Sequence, residues 1–133
     1  MEQCIQLLDY LALNFDAKVR YYASDMVMRI YSDALYLSEA KARSCTCINF
    51  FMGLIPKNGE PIKLNGAFHV NLLILRFVVA STAKAELRAF FHNYQTGIIF
   101  QSILEDLGHP QPRTPVHCNN DTAVRITNST VKR

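Results

Sequence analysis

The sequence lacks a long apolar run, a secretion signal and closely spaced metal-binding cysteines, and each absence excludes a class of protein. Its longest apolar stretch, LLILRFVVA at 72–80, includes an arginine and is much shorter than the roughly 20 residues of a membrane-spanning helix. The N-terminus starts with Met-Glu and has neither the basic segment nor the cleavage site of a signal peptide. We therefore expect a protein that is neither membrane-embedded nor secreted.

The cysteines and histidines do not form a recognisable metal site. No Cys-x-x-Cys pair is present, and the Cys45-x-Cys47 spacing places both thiols on one face of a strand. His117 and Cys118 are adjacent but supply too few ligands for zinc. We expect the four cysteines to be free or buried thiols.

Charge is scarce as well. Charged residues make up 19% of the 133-residue chain and hydrophobic residues 50%, with a formal net charge of +3 at pH 7. This composition is typical of a globular protein, and the length suits one domain with a core of its own. The slight positive charge is compatible with a polyanionic partner but does not by itself indicate one.

The hydrophobic pattern predicts an N-terminal helix followed by strand, strand, strand, helix, strand and helix. The apolar residues of 5–13 recur at helical spacing, so we expect a first helix that ends near Asn14 and covers one side of the fold. Further elements are predicted at MVMRIYSDA (26–34), SCTCINFFMG (44–53), around GAFHV (66–70), at 81–107 with Gly97 as the place for a bend, at PVHCNND (115–121), and from Asp121 or Thr122 onward.

Turn and cap signals separate these elements. Gly108 is expected to cap the long helix, and PKNGEP (56–61) is expected to form the turn before the third strand. The resulting prediction is an α/β fold whose mixed sheet combines a three-strand antiparallel meander with one parallel strand, with helices packed on it. Residues 1–24 would form a helical lead and residues 25–133 the main domain.

Three polar positions are expected to meet at one end of this sheet. Asp33 is predicted to leave the first strand, Glu86 lies in the first turns of the long helix, and CNND ends the fourth strand. Taken alone, Asp33 is typical of a strand-terminal Asx turn. Together, the positions have the layout of a ribonuclease H site, in which carboxylates bind two Mg²⁺ ions about 4 Å apart for phosphodiester hydrolysis.

The chain closely resembles the ribonuclease H domain at the C-terminal end of copia-type LTR retrotransposon polyproteins. The segments that carry the resemblance are YSDALYL (31–37), KARSCTCINFFMG (41–53), ASTAKAEL (80–87) and LEDLGHPQPRTPVHCNNDTAV (104–124), in the same order as in the family. The resemblance extends over essentially the whole chain. It implies a ribonuclease H-like domain at 25–133 that is truncated at its C-terminus, because the family domain continues beyond this point.

The resemblance also implies roles for individual residues. Asp33 and Glu86 match the first two Mg²⁺ ligands, and Arg43 with Ser44 are candidates for contacting the phosphates of a nucleic acid. The position of the third ligand, an aspartate in the family, is Asn119 here. An amide offers a neutral oxygen, so metal binding would weaken and hydrolysis would collapse. Asp121, two residues later, is the possible substitute ligand.

A second departure concerns the start of the long helix. The family has a Ser-x-x-Glu capping box there, whereas this chain has Lys84 in the first turn, against the positive end of the helix dipole. Lys84 lies two residues before Glu86 and would partly neutralise the site.

Three hypotheses for the function follow. The chain is an active two-metal ribonuclease H that uses Asp121, a non-catalytic structural or nucleic-acid-binding descendant of that fold, or an unrelated binding domain. Asn119 favours the second for this chain and leaves the first as the function of its lineage. The resemblance further implies an RNA/DNA hybrid and an upstream reverse transcriptase domain of the same polyprotein as partners, within cytoplasmic virus-like particles.

Overall fold

The computed structural model of the chain describes residues 2–55 and 64–129, which contain three α-helices and one four-stranded sheet. The elements are, in chain order, α1 (Glu2–Leu13), β1 (Val27–Glu39), β2 (Arg43–Gly53), β3 (Leu64–Ile74), α2 (Thr82–Asp106), β4 (Val116–Cys118) and α3 (Asp121–Asn128). A short 3-10 turn, Ala40–Ala42, joins β1 to β2. The predicted order of elements is confirmed, and the turn predicted at 56–61 lies outside the described residues.

The four strands form one mixed sheet in the order β3-β2-β1-β4. β1 pairs antiparallel with β2, and β2 pairs antiparallel with β3, whereas β4 runs parallel to β1. The predicted meander plus one parallel strand is therefore confirmed. This topology places the middle of β1 beside the end of β4, where the candidate site lies.

The main core lies between α2 and one face of β1 and β2. Alternate residues of the two strands point toward the helix, and the buried apolar cluster consists of Met28, Ile30, Ile48, Phe50 and Leu104. α2 runs without interruption through Gly97, where an added Cβ would lie 2.6 Å from Cδ1 of Ile30. Glycine at this position lets the helix approach the sheet closely.

The C-terminus of α2 has the predicted glycine cap. Gly108 has a φ of 86°, which is in the left-handed region that glycine adopts without strain. Its N–H donates to the carbonyl of Glu105 at 3.0 Å, and the N–H of His109 donates to the carbonyl of Leu104 at 2.9 Å. These two bonds are those of a Schellman motif, which satisfies the last carbonyls of the helix.

The prediction that α1 covers one side of the fold is wrong. The helix forms where it was predicted, but none of its residues is buried, and Ile5 and Leu8 are 53% and 64% exposed. The segment after α1 makes the contacts instead, because Arg20 accepts a backbone hydrogen bond from Gly66 in β3 at 3.0 Å. Tyr21 adds a bond from its hydroxyl to the carbonyl of Ala67.

Within residues 2–55 and 64–129, none of the helices has the combination of length and apolar character needed to cross a membrane.

Candidate active site

The site is built where β1 and β4 run side by side. The last residue of β4, Cys118, pairs with Ser32 of β1 in parallel register. The residues that follow these two in the sequence, Asp33 and Asn119, are therefore neighbours. The side-chain Nδ2 of Asn119 donates to Oδ1 of Asp33 at 3.2 Å. The pairing of two strands thus brings together two positions that lie far apart in the sequence.

The prediction that Asp33 leaves the first strand is wrong, because Asp33 lies within β1. The strand continues to Glu39 through its pairing with β2. Its Oδ1 also accepts the backbone N–H of Ala34 at 2.9 Å. An Asx turn would use the N–H two residues after the aspartate, so this bond to the next residue is a different arrangement. One carboxylate oxygen of Asp33 consequently has two donors, one of which is the Asn119 amide.

Glu86 approaches the same place from the second turn of α2. It is only 3% exposed, and the Cys118 thiol donates to its Oε2 at 3.7 Å. Burial raises the pKa of Glu86, and the negative charge of Asp33 raises it further. The Cys118 thiol and the N–H of Ala34 act in the opposite direction on this pKa but are the weaker influences. The surroundings therefore shift the ionisation equilibrium of Glu86 toward its protonated form.

Cys118 is a site residue that the sequence reading did not identify. Burial raises the pKa of its thiol, and the negative charges of Glu86 and Asp33 act in the same direction. The thiol therefore stays protonated at neutral pH and acts as a hydrogen-bond donor to Glu86. The sequence signal that could have identified Cys118 is its position next to Asn119, because neighbouring residues at a strand end lie at the same edge of a sheet.

A shallow groove of about 390 Å³ opens beside Asp33 and Asn119. Tyr31 and His117 line it, with their rings stacked at a centroid distance of 4.6 Å. Burial lowers the pKa of His117, and the positive charge of Arg29 lowers it further, so the imidazole is neutral at pH 7. Strand alternation is the sequence signal for this arrangement, because it places Tyr31 on the same face as Asp33.

The residues present do not fit a pair of Mg²⁺ ions. The convergent oxygen ligands are two carboxylates, one of which is driven toward its neutral form, and one neutral amide that is already bonded to Asp33. Mg²⁺ prefers charged oxygen ligands, and two such ions close together need several of them. In the part of the chain that the structure describes, no three Asp, Glu, His or Cys side chains are placed to hold a metal ion.

Asp121 lies outside this constellation. It is the first residue of α3 and is exposed, and the N-cap of the helix is the preceding residue, Asn120. The Oδ1 of Asn120 accepts the N–H of Ala123 at 3.0 Å. Asp33, Glu86 and Asp121 do not form a group of three side chains placed to hold a metal ion in the described part of the chain. The proposed substitute ligand thus follows Asn119 by two residues but does not complete a metal-binding group with Asp33 and Glu86.

The two candidate phosphate contacts lie at the β1–β2 hairpin. Ser44 is fully buried, and its Oγ accepts the backbone N–H of Leu37 at 3.1 Å. Arg43 is half-buried, and its Nε donates to the carbonyl of Ala40 at 3.1 Å. Ser44 therefore supports the hairpin from inside, whereas Arg43 retains a surface position.

Lys84 lies at the start of α2, on the exposed side. Its backbone N–H donates to Oγ of Ser81 at 3.3 Å, so the serine half of the capping box is formed. A lysine side chain cannot make the reciprocal bond that glutamate would make.

Comparison with known protein families, with curated proteins and with solved structures gives no match for this chain.

Proposed function

We propose that the chain is a ribonuclease H-like domain of the copia-type retrotransposon lineage that has lost most or all of its hydrolytic activity on RNA/DNA hybrids. The mixed sheet with a long helix between β3 and β4 supports this assignment, since it is compatible with the ribonuclease H fold. The convergence of Asp33, Glu86 and position 119 where the middle of β1 lies beside the end of β4 supports it further.

The observation that carries the proposal is the hydrogen bond from the Asn119 amide to Asp33. In a two-metal nuclease, a third carboxylate at this position would repel Asp33 and so require a cation between them. Asn119 instead donates a hydrogen, so the carboxylate and the amide satisfy each other without a cation. The charge that would hold Mg²⁺ is reduced, and the remaining ligand Glu86 lies in surroundings that favour its neutral form.

Magnesium in an active relative would activate the attacking water and stabilise the leaving oxygen. In this chain, Asp33 and Glu86 are the two residues that would hold it, and a donor set of this charge would bind it weakly. The function that remains is that of a structural or hybrid-binding module beside the reverse transcriptase domain of the same polyprotein. Arg43 is the residue we expect to contact a phosphate of the hybrid.

The test is cleavage of a labelled RNA/DNA hybrid, with Mg²⁺ or Mn²⁺, by the parent chain and by its Asn119→Asp variant. Each is paired with Asp33→Asn as the matched blank, and circular dichroism establishes that all four proteins are folded. We expect cleavage by Asn119→Asp alone, and loss of that cleavage when Asp33→Asn is added.

Two outcomes would contradict the proposal in different ways. Cleavage by the parent that disappears with Asp33→Asn would show an active enzyme, and its loss in Asp121→Asn would then identify Asp121 as the third ligand. If the folded Asn119→Asp variant does not cleave the hybrid, position 119 does not account for the lost activity. Fluorescence anisotropy with a hybrid and with duplex DNA of the same sequence measures the binding function separately.

A further inference from the structure

We propose that Asn93 of α2 and Ser32 of β1 form a buried polar pin that sets the position of Glu86 relative to Asp33 and the end of β4. In this role Asn93 and Ser32 are positioning residues, and the inference rests on the proposed function only where metal binding is concerned. The pin is defined as the side-chain pair Asn93–Ser32, and Ser32 is also one of the residues that line the groove.

The pin joins three elements through one amide. Asn93 is fully buried, and its Nδ2 donates to Oγ of Ser32 at 2.8 Å and to the carbonyl of Cys47 in β2 at 3.4 Å. Ser32 is 3% exposed and lies in the middle of the sheet, between Ile48 of β2 and Cys118 of β4. A change in the height or rotation of α2 over the sheet would break the 2.8 Å bond.

The same two elements carry the site residues. Asn93 follows Glu86 by seven residues, which is almost two helical turns, so both side chains lie on one face of α2 about 10 Å apart along its axis. Ser32 immediately precedes Asp33 and pairs with Cys118, the thiol donor to Glu86. Fixing Asn93 on Ser32 therefore fixes the distance from Glu86 to Asp33 and Cys118.

The contact face of α2 on the N-terminal side of Asn93 is lined by small apolar residues. Ala85 and Ala89 are buried there and contribute only methyl groups to the packing, whereas the larger Leu104 packs in the core nearer the other end of the helix. A single directional hydrogen bond in such an interface specifies one register, as a buried asparagine does in a coiled coil. Among the described residues, Asn93 is the position at which a side chain of α2 makes such bonds to β1 and β2.

Stability alone does not explain the pin. The Oδ1 of Asn93 is buried without a hydrogen-bond partner among the described residues, and an unsatisfied buried acceptor is costly. A leucine has a similar volume and would avoid that cost, so an apolar residue would serve the core at least as well. The asparagine is suited to define a position rather than to add stability.

The test compares Asn93→Leu, Ser32→Ala and the double variant with Leu104→Ala, a core substitution on the same helix that is remote from the pin. In the Asn119→Asp background, we measure the Kd for Mn²⁺ by isothermal titration calorimetry. Each pin variant should raise this Kd about tenfold or more, as substitutions that support metal ligands do. The double variant should add little to either single change, and Leu104→Ala should alter the Kd by less than about twofold.

A second readout needs no metal. In the parent background, the ¹H–¹⁵N resonances of the Ala34 backbone amide and the Asn119 side-chain amide report the bonds to Asp33. We expect Asn93→Leu and Ser32→Ala to shift both resonances, and Leu104→Ala to leave them in place. If Asn93→Leu does not fold, Ser32→Ala decides the question by itself, because it removes only one buried hydroxyl.

The outcomes separate the two proposals. An unchanged Kd together with unchanged amide resonances in the folded pin variants would overturn the positioning role and leave the proposed function standing. No Mn²⁺ binding by Asn119→Asp would instead count against the proposed function, and the amide resonances would still decide whether the pin positions the site.

Discussion

Replacing Asn119 with aspartate should destabilise the protein in the absence of divalent cations. The substitution puts a carboxylate where an amide now donates to Asp33 at 3.2 Å. Two unit charges at that separation repel by about 1 kcal/mol at a dielectric constant of 80 and about 5 kcal/mol at 20. Since Asn119 is exposed, we take roughly 1–2 kcal/mol from the lower part of this range. The lost hydrogen bond adds about 1 kcal/mol, for a total of roughly 2–3 kcal/mol.

The assay is urea unfolding of the parent and of Asn119→Asp at pH 7, with and without Mg²⁺. Binding of Mg²⁺ to the folded variant should restore about 2.7 kcal/mol when its concentration is 100 times the Kd. Gln95→Glu adds the same charge at an exposed position of α2 and serves as the control, for which we expect little change. Equal stability of Asn119→Asp and the parent, with no response to Mg²⁺, would refute the reasoning.

Two further predictions concern packing and ionisation. Gly97→Ala gains about 1 kcal/mol of helix propensity but forces a methyl against Ile30, which costs about 1–3 kcal/mol, so the variant should be slightly less stable. Adding Ile30→Val removes the Cδ1 and should reverse the sign of the Gly97→Ala effect in urea unfolding; persistence of the loss would count against the clash. Because the folded pKa of Glu86 is raised, its contribution to stability is present below the ordinary value of 4.5 and is lost as the pH rises. The difference in unfolding free energy between Glu86→Gln and the parent should therefore change in favour of the variant as the pH rises from 4 to 8. A difference that stays constant across this range would contradict the raised pKa.

The elements that the sequence predicted well are those with long, regular apolar patterns. Met28 and Ile30 alternate with residues of the other face, and the structure places both in the core as a strand requires. The helix from Ser81 to Leu107 has many turns of consistent spacing and a glycine at its end, so both its type and its bounds were accessible. These signals are local, and local signals survive folding when the tertiary contacts agree with them.

The errors arose where long-range contacts decide the outcome. β1 extends past Asp33 because Leu35 pairs with Cys45 across the hairpin, and no local pattern contains that pairing. The apolar stripe at 5–13 predicts a helix, and α1 forms there. Such a stripe indicates that a helix can pack on another element, but it does not identify that element.

The candidate site shows how both kinds of information combine at one residue. The sequence identifies Asp33, Glu86 and Asn119 as the relevant residue types, but only the parallel register of Ser32 with Cys118 makes position 119 face Asp33. Any side chain at position 119 consequently lies beside the carboxylate of Asp33. An aspartate there would leave two like charges that need a cation, whereas an asparagine completes a neutral pairing that needs none. Because the strand pairing places position 119 beside Asp33, replacing one carboxylate oxygen by an amide nitrogen there decides whether the two side chains need a cation between them.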